Sequence, residues 1–411
     1  MISVEEAQRI IRENVAIGRV IECKIQDALG LVLATPIFAK QPSPPFDASS
    51  VDGYAVSLKS FGEMKAGDTV ALRVAAEVEA GAQDLKRFTT KGTFRIFTGA
   101  KVPKGADAVV MQEDVKRENG IIYFSAVPQA GANIRPRGGE FQKEAKLFEE
   151  GTRINPAVLG ALAGYGYAMV KVYARPRVAV VVTGSELKLP GARLKSGQIW
   201  DANSSTLVAM LGALGFENVR VFRARDNLNQ VLNAIKKAFA ISEVVLASGG
   251  VSVGDHDHVR PALEELKVKQ LFWRVRVKPG MPIYFGKTLP KTALNAKYVF
   301  ALPGNPVSAL VTFQLFVRDA LLHMMGNRSR DSSLNALLTR PIKKSHARRE
   351  YVRGRFDWNG EGLHVTPLDL RESHMMSGIA NANCLIEVPE ESSLLEAGSI
   401  VRIHPLIWTA F

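Results

Sequence analysis

Residues 177–184, RVAVVVTG, place five apolar side chains in unbroken succession at positions 178–182. A strand with one face in water alternates apolar and polar residues, so an unbroken β-branched run is the pattern of a strand covered on both faces. The sequence that follows supplies the cover. Helical patterns at 203–215, 227–240, 258–266 and about 306–325 alternate with strand patterns. Those strands fall at 217–225, at 243–248, in the pair LFWRVRV and PIYFG, and at 298–304. Alternation of this kind predicts a doubly wound, mainly parallel sheet.

In such sheets ligands bind beyond the carboxyl ends of the strands. Those ends carry TGSEL (183–187), SGGVSVGDHD (248–257) and LPGNPVSAL (302–310). Each is a glycine-bearing turn that leaves backbone N–H groups open to an anion. In the last, Asn305 is placed to cap the helix that Pro306 begins, with the positive helix end toward the cleft. One such turn also arises for steric reasons alone. Three at one sheet edge point to a phosphorylated or nucleotide ligand.

Asp255, His256, Asp257 and His258 follow in a row. Zinc favours imidazoles at suitable spacing, whereas magnesium takes oxygen ligands and keeps several waters. Two carboxylates beside a phosphate-type loop therefore point to magnesium, with Glu186 and Asp226 at two other strand ends available to the same ion. Lys278 follows a strand and offers a cation to an anion, as do Arg274 and Arg276. VKPGMPIYFGKT (277–288) fails as a P-loop, because Gly280 stands one residue too far from Gly286 and Pro282 breaks the strand–loop–helix context. Gly164-x-Gly166 fails as a dinucleotide fingerprint, since it follows a helix and lacks a third glycine. Without a Ser-His-Asp signature or an activated cysteine, positioning and electrostatics would carry any catalysis.

The remaining chain reads differently. Ser3 and Glu6 suggest a capping box at the start of a helix over 3–15, and 40–56 is a proline-rich crossing segment. From about 54 to 147 and again beyond 327, short strands separated by Gly, Pro and Asp predict two β-domains. Asn155-Pro156 opens a short helix that leads into a strand. Lys plus Arg exceed Asp plus Glu by 53 − 40 = 13, which favours anionic ligands. Nucleic acid is disfavoured, because the basic residues are scattered and no zinc-finger, basic-heptad or aromatic RNA-binding pattern occurs. The 2 cysteines, Cys23 and Cys384, stand alone and fit a reducing cytoplasm. No apolar run is expected to span a membrane.

Seven stretches, in order, carry a resemblance: PFDASSVDGYAV, IFTGAKVPKGADAVV, NIRPRGGE, VVTGSEL, SGGVSVGDHD, FWRVRVKPGMP and LPGNPVSALVTF. In sequence and spacing they resemble the molybdopterin molybdenumtransferases, the MoeA family, which is similar to the gephyrin E domain. The resemblance implies a multidomain α/β fold. An extended domain covers 1–45 and 147–175, and an inserted β-domain covers 46–146. A doubly wound domain of molybdopterin-binding type covers 176–327, and a β-barrel-like C-terminal domain covers 328–411. It also implies magnesium-dependent insertion of molybdate into adenylylated molybdopterin, with release of AMP, by a cytoplasmic homodimer whose cleft is shared between protomers.

By motif match, the resemblance assigns catalytic roles to Asp52, Thr98, Glu186, Asp226 and Asp257, and metal ligation to Glu186, Asp226 and Asp257. Substrate contacts fall on Thr183, Gly184, Ser185, Ser248, Gly249, Gly250 and Ser252, and on Lys278, Pro303, Gly304, Asn305 and Pro306. In the C-terminal domain, Arg353 and Ser373 are candidates to hold an oxyanion such as molybdate. The chain departs from the family pattern at Gly139-Glu140, Arg274 and Met281. A tungstate-inserting homologue and a non-catalytic scaffold of gephyrin type are the alternatives, and the acids at 52, 186, 226 and 257 speak against the scaffold. An adenylyltransferase acting one step earlier on molybdopterin would usually lack the inserted β-domain.

Overall fold

The computed structural model describes residues 1–83, 87–251, 257–289, 295–327, 332–369 and 372–409. The chain forms two compact units. One comprises Met1–Thr35, Gly151–Leu159 and Met169–Phe411, and the other Pro36–Glu150 and Gly160–Ala168.

The centre of the first unit is the sheet that the valine run anticipates. Its strands in chain order are β1 (Val178–Thr183), β2 (Arg220–Ala224), β3 (Val244–Ser248), β4 (Lys269–Trp273), β5 (Tyr284–Lys287) and β6 (Tyr298–Leu302). They lie side by side in the order β2-β1-β3-β6-β5-β4. The first four are parallel, and β5 and β4 continue the sheet antiparallel. Every residue of β1, β3 and β6 is buried, as unbroken apolar runs require.

Helices α1 (Ala202–Ala213), α2 (Leu228–Ile241), α3 (Val259–Glu265) and α4 (Pro306–Thr312) accompany the sheet. Val231, Ile235 and Ala238 of α2, with Val259 and Leu263 of α3, pack on Ala179, Val181, Val245, Ala247, Val299 and Ala301. Phe285 and Phe300, whose neighbours Tyr284, Val299 and Ala301 belong to that cluster, alternate to the opposite side of the sheet. Their rings stack with centroids 4.6 Å apart and are fully buried. The doubly wound, mainly parallel fold expected from the sequence is the fold observed.

Two local expectations are revised. Ser3 does cap the first helix, Val4–Asn14, by accepting from the Glu6 N–H at 3.1 Å. The Glu6 carboxylate, however, pairs with Arg9 at 2.7 Å, so the reciprocal half of the capping box is replaced by an ion pair one turn along. The helix that opens with α4 runs through a π-turn at Phe313–Val317 to Met324. Over Pro306–Met324 its mean hydropathy reaches 1.3, enough in length and composition to cross a membrane. Its apolar residues are accounted for by burial, since 78% of that window lies inside the unit.

Five strands beyond α4 close into a barrel: Leu334–Leu338, Arg349–Trp358, Leu363–Pro367, Cys384–Val388 and Ile400–Pro405. The ring is complete because Arg349–Trp358 pairs with both Leu363–Pro367 and Cys384–Val388. Closure leaves no free edge among these strands. Cys384 lies in the barrel core, where burial pushes its thiol up to about 12. Val277–Lys278 adds to the barrel beside Arg349 and Glu350. The second unit is built on a six-stranded sheet in which Tyr54 and Val56 face one apolar cluster and Ala55 the other.

Removing the Phe300 ring leaves a hole between layers that cannot close without moving the Phe285 ring. Phe300→Ala is expected to cost about 3–5 kcal/mol. Calorimetric melting of the variant against the parent protein measures this, and a loss below about 1 kcal/mol would show that the layer relaxes around the gap.

Candidate active site

The chain leaves β1 for β2 on one side, then returns to β3 on the other side of β1. That reversal is a switch point, where the loops leaving neighbouring strands turn apart and open a crevice. A cleft of about 690 Å³ lies there. Thr183 and Gly184 after β1, Ser248, Gly249 and Gly250 after β3, and Pro303, Gly304, Asn305 and Pro306 after β6 all line it. Gly249 has φ +93°, and a Cβ there would lie 2.6 Å from the Thr183 carbonyl oxygen. Only glycine permits this close passage of two turns.

The backbone amides are less available than the glycines suggest. Gly184 N–H donates to the Ala224 carbonyl at 3.2 Å, and Gly249 N–H to that of Leu302 at 3.3 Å. Ser185 N–H donates to Asp226 Oδ2 at 2.8 Å, and Asp226 N–H returns a bond to Ser185 Oγ at 3.1 Å. Ser185 thus fixes Asp226 beside the cleft and is not among the lining residues. At α4, Pro306 has no N–H and Val307 N–H donates to the Ser373 carbonyl at 3.2 Å. Asn305 stands at the N-cap position without a side-chain cap, because its Nδ2 donates to Ser373 Oγ at 2.9 Å. The expected capping role of Asn305 is corrected accordingly: its side chain ties α4 to the C-terminal domain.

Acids dominate instead. Glu186, Asp226 and Asp257 line the cleft, joined by Asp201, and no Lys or Arg is found among its described lining residues. Asp201 is 1% exposed and caps α1, accepting from Ser204 N–H at 2.9 Å and Ser204 Oγ–H at 2.5 Å, with Arg223 at 3.3 Å. Its charge is therefore committed to the helix cap and to Arg223, and Glu186, Asp226 and Asp257 are the other carboxylates that line the cleft. Among the described residues no group of three or more His, Cys, Asp or Glu is gathered tightly enough to hold a metal by itself. Asp255, His256 and Ser252 lie outside the described residues.

Sequence reasoning missed Trp200, Asp201, Asn203 and His374, which also line this cleft. The Asp201-x-x-Ser204 spacing ahead of an apolar helix was a readable cap signal. Nothing local marks His374, which enters from the C-terminal domain.

Lys278, Arg353 and Ser373 are brought together elsewhere. They line a neighbouring cleft of about 320 Å³ with Ser308, Arg348 and Glu350, and Asn305 and Pro282 border both clefts. Lys278 Nζ pairs with Glu350 at 3.2 Å. Arg353 is 3% exposed, and its Nη1 donates to the Glu372 carbonyl at 3.2 Å. Met281 lines this cleft, whereas the Arg274 guanidinium stacks 4.2 Å from the centre of the Trp273 ring.

Asp52 and Thr98 belong to the second unit. There Asp52 Oδ1 accepts from both the Thr98 N–H and the Thr98 hydroxyl at 2.7 Å. Glu140 accepts from the Ser43 hydroxyl at 2.7 Å and the Tyr165 hydroxyl at 3.3 Å.

An acid-lined cleft at the switch point of an α/β sheet, bordered by a second cleft that holds Lys278, Arg348 and Arg353, places the chain in the class of doubly wound proteins whose ligand site lies beyond the strand ends. Family models narrow the class. Residues 2–166 match the MoeA N-terminal region (domains I and II), 179–323 a probable molybdopterin-binding domain, and 335–406 the MoeA C-terminal region (domain IV). The chain is 34% identical over 411 residues to a molybdopterin molybdenumtransferase of Haemophilus influenzae, covering 98% of each. It is 31% identical over 405 residues to one of Staphylococcus aureus, covering 98% of this chain and 95% of the relative. A crystal structure of a molybdopterin biosynthesis MoeA protein from Pyrococcus horikosii superposes with a TM-score of 0.81 at 29% identity, over 100% of both chains. The chain belongs to the MoeA family.

The two bonds from Thr98, first the amide and then the hydroxyl, hold the Asp52 carboxyl below the ordinary carboxylate range. Thr98→Val keeps the amide and removes the hydroxyl, so the Asp52 midpoint is expected to rise partway toward the ordinary value in a side-chain NMR titration. Because the native pKa is depressed, the pair stabilises fully above the ordinary carboxylate pKa and loses this contribution as pH falls through the depressed one. An unmoved midpoint in Thr98→Val would remove the hydroxyl from this account.

Proposed function

We propose that the chain acts in molybdenum cofactor biosynthesis as a transferase that inserts molybdate into adenylylated molybdopterin, in the cytoplasm, releasing AMP in a magnesium-dependent step. The observation that carries this reading is the division of charge between adjoining clefts. The larger holds Glu186, Asp201, Asp226 and Asp257 without a described Lys or Arg, and in the smaller Lys278, Arg348 and Arg353 outnumber Glu350 and Glu372. A phosphate-bearing ligand entering the larger cleft meets carboxylates, so its binding there calls for a cation.

The donor set fits magnesium, which takes one or two carboxylates and fills its remaining positions with water and phosphate oxygens. One or two of Glu186, Asp226 and Asp257 would hold it. When bound, the ion neutralises charge on the phosphoanhydride and on the leaving AMP. Ser185, by fixing one oxygen of Asp226, orients the other. In the smaller cleft, Lys278 and Arg353 supply charge and Ser308 and Ser373 supply hydroxyl donors suited to a tetrahedral oxyanion. Asp52 and Thr98 complete the machinery from the second unit, contributed by the other protomer of a homodimer.

Purified protein incubated with adenylylated molybdopterin, molybdate and Mg²⁺ is expected to release AMP, with chelation abolishing release. Asp226→Asn and Asp257→Ala should each lower the rate roughly 10²-fold or more, the scale of losing one electrostatic element of a transition state. AMP release at the parent rate from Asp257→Ala would remove that residue from the reaction. Light scattering that reports a monomer at micromolar concentration would remove the shared site.

A further inference from the structure

We propose that Trp200, Asn203 and Thr183 form the seat of a planar nitrogen heterocycle bearing N–H donors, the pterin or the adenine of the ligand, and so set specificity for it. The inference rests on the reading of the larger cleft as the substrate site. Trp200 is 53% exposed and lines the cleft, yet its indole does not swing freely, because Nε1–H donates to the Ala192 carbonyl at 2.9 Å. An exposed indole held in place within a cleft presents a stacking face, which a flat heteroaromatic ring fills.

Three residues on, in the first turn of α1, Asn203 is 9% exposed and also lines the cleft. Its Nδ2 donates to the Gly304 carbonyl at 2.8 Å and to Ser248 Oγ at 2.7 Å. A carbonyl only accepts, so the Gly304 bond fixes which way the amide faces. Oδ1 is left buried with no hydrogen-bond partner. Thr183, 6% exposed at the end of β1, carries a second buried and unpartnered oxygen, Oγ1. Native interiors rarely leave such groups unmatched.

Asn203 Oδ1 can only accept and so asks for a donor, while the Thr183 hydroxyl beside the cleft can give or take a hydrogen bond. Phosphate and molybdate present acceptor oxygens, which an amide oxygen repels. The exocyclic amine and ring N–H of a pterin, or the amine of adenine, present the hydrogens that Asn203 Oδ1 lacks. One strand-to-helix turn, fixed by the Asp201 cap, therefore carries both the stacking face and the acceptor.

The test is calorimetric binding of AMP, of pterin and of ribose 5-phosphate, each with Mg²⁺, to the parent protein and to Trp200→Ala, Trp200→Leu and Trp200→Phe. For a ring-bearing probe, Trp200→Ala and Trp200→Leu are expected to weaken binding about 5- to 100-fold and Trp200→Phe far less, the effect of losing a stacked base. Ribose 5-phosphate should bind all four alike. Loss for AMP alone assigns the seat to adenine, and loss for pterin alone to the pterin. Unchanged binding of both rings in Trp200→Ala, or binding of neither ring by the parent protein, overturns the proposal. Melting of the variants, whose substituted residue is exposed, checks that they fold. If the parent protein releases AMP in the assay above while Trp200→Ala binds both rings normally, only this inference fails. If the parent releases none, the reading of the cleft fails first.

Discussion

A methyl group on Gly249 would sit 2.6 Å from the carbonyl oxygen of Thr183, and much of the site depends on that closeness. It lets the turn after β3 lie against the turn after β1 where the chain reverses across the sheet. With those turns in contact, the Ser248 hydroxyl comes within reach of Asn203 at the start of α1, and Asn203 reaches the Gly304 carbonyl after β6. Two strand ends and the start of α1 are thereby joined through one amide side chain. A larger residue at 249 would both enter an unfavourable backbone region and push these turns apart.

The same joining explains why the glycines do not serve as an open row of amides. Parallel neighbours at a switch point must satisfy their own N–H groups where the ladder ends, and the nearest acceptors are carbonyls and carboxylates of adjacent loops. Gly184, Ser185 and Gly249 all spend their amides in this way. On the proposed reading, phosphate recognition in this cleft therefore draws less on these three amides and more on side chains and the cation the carboxylates would hold. The net charge of +13 is not concentrated there.

What was legible from sequence follows the reach of each signal. The valine run of β1 and the glycine turns after β1, β3 and β6 are local, so the sheet and the location of its cleft could be read directly. The acids Glu186, Asp226 and Asp257 were legible because each immediately follows a strand end or its loop. Trp200 and Asn203 were not, since an aromatic and an amide ahead of a helix look like ordinary boundary residues until the fold folds that boundary over the cleft. The smaller cleft was hidden for a different reason. Its contacts join residues far apart in the chain, Asn305 with Ser373 and Lys278 with Glu350. Charge spacing along the sequence carries no record of such pairs. The helix beyond Pro306 was legible as a helix, but its composition alone does not say what covers it, because burial in a protein core and burial in lipid select the same residues.

Asn305 gives the two clefts a common wall. Its backbone opens α4 toward the acidic cleft, while its side chain is bonded to Ser373 in the basic one. Val307 N–H binds the Ser373 carbonyl, so two bonds fix this segment of the C-terminal domain to the start of α4. Such an arrangement sets an acid-lined cleft with no described Lys or Arg against one in which Lys278, Arg348 and Arg353 outnumber Glu350 and Glu372. Merged in one pocket the two sets of charges would neutralise each other and leave little field for a ligand. Held apart, on the proposed reading, the acidic side gathers a cation around a phosphoanhydride while the basic side keeps an oxyanion within one residue's width of it. Proximity then follows from the fold, and the protein need supply no nucleophile of its own.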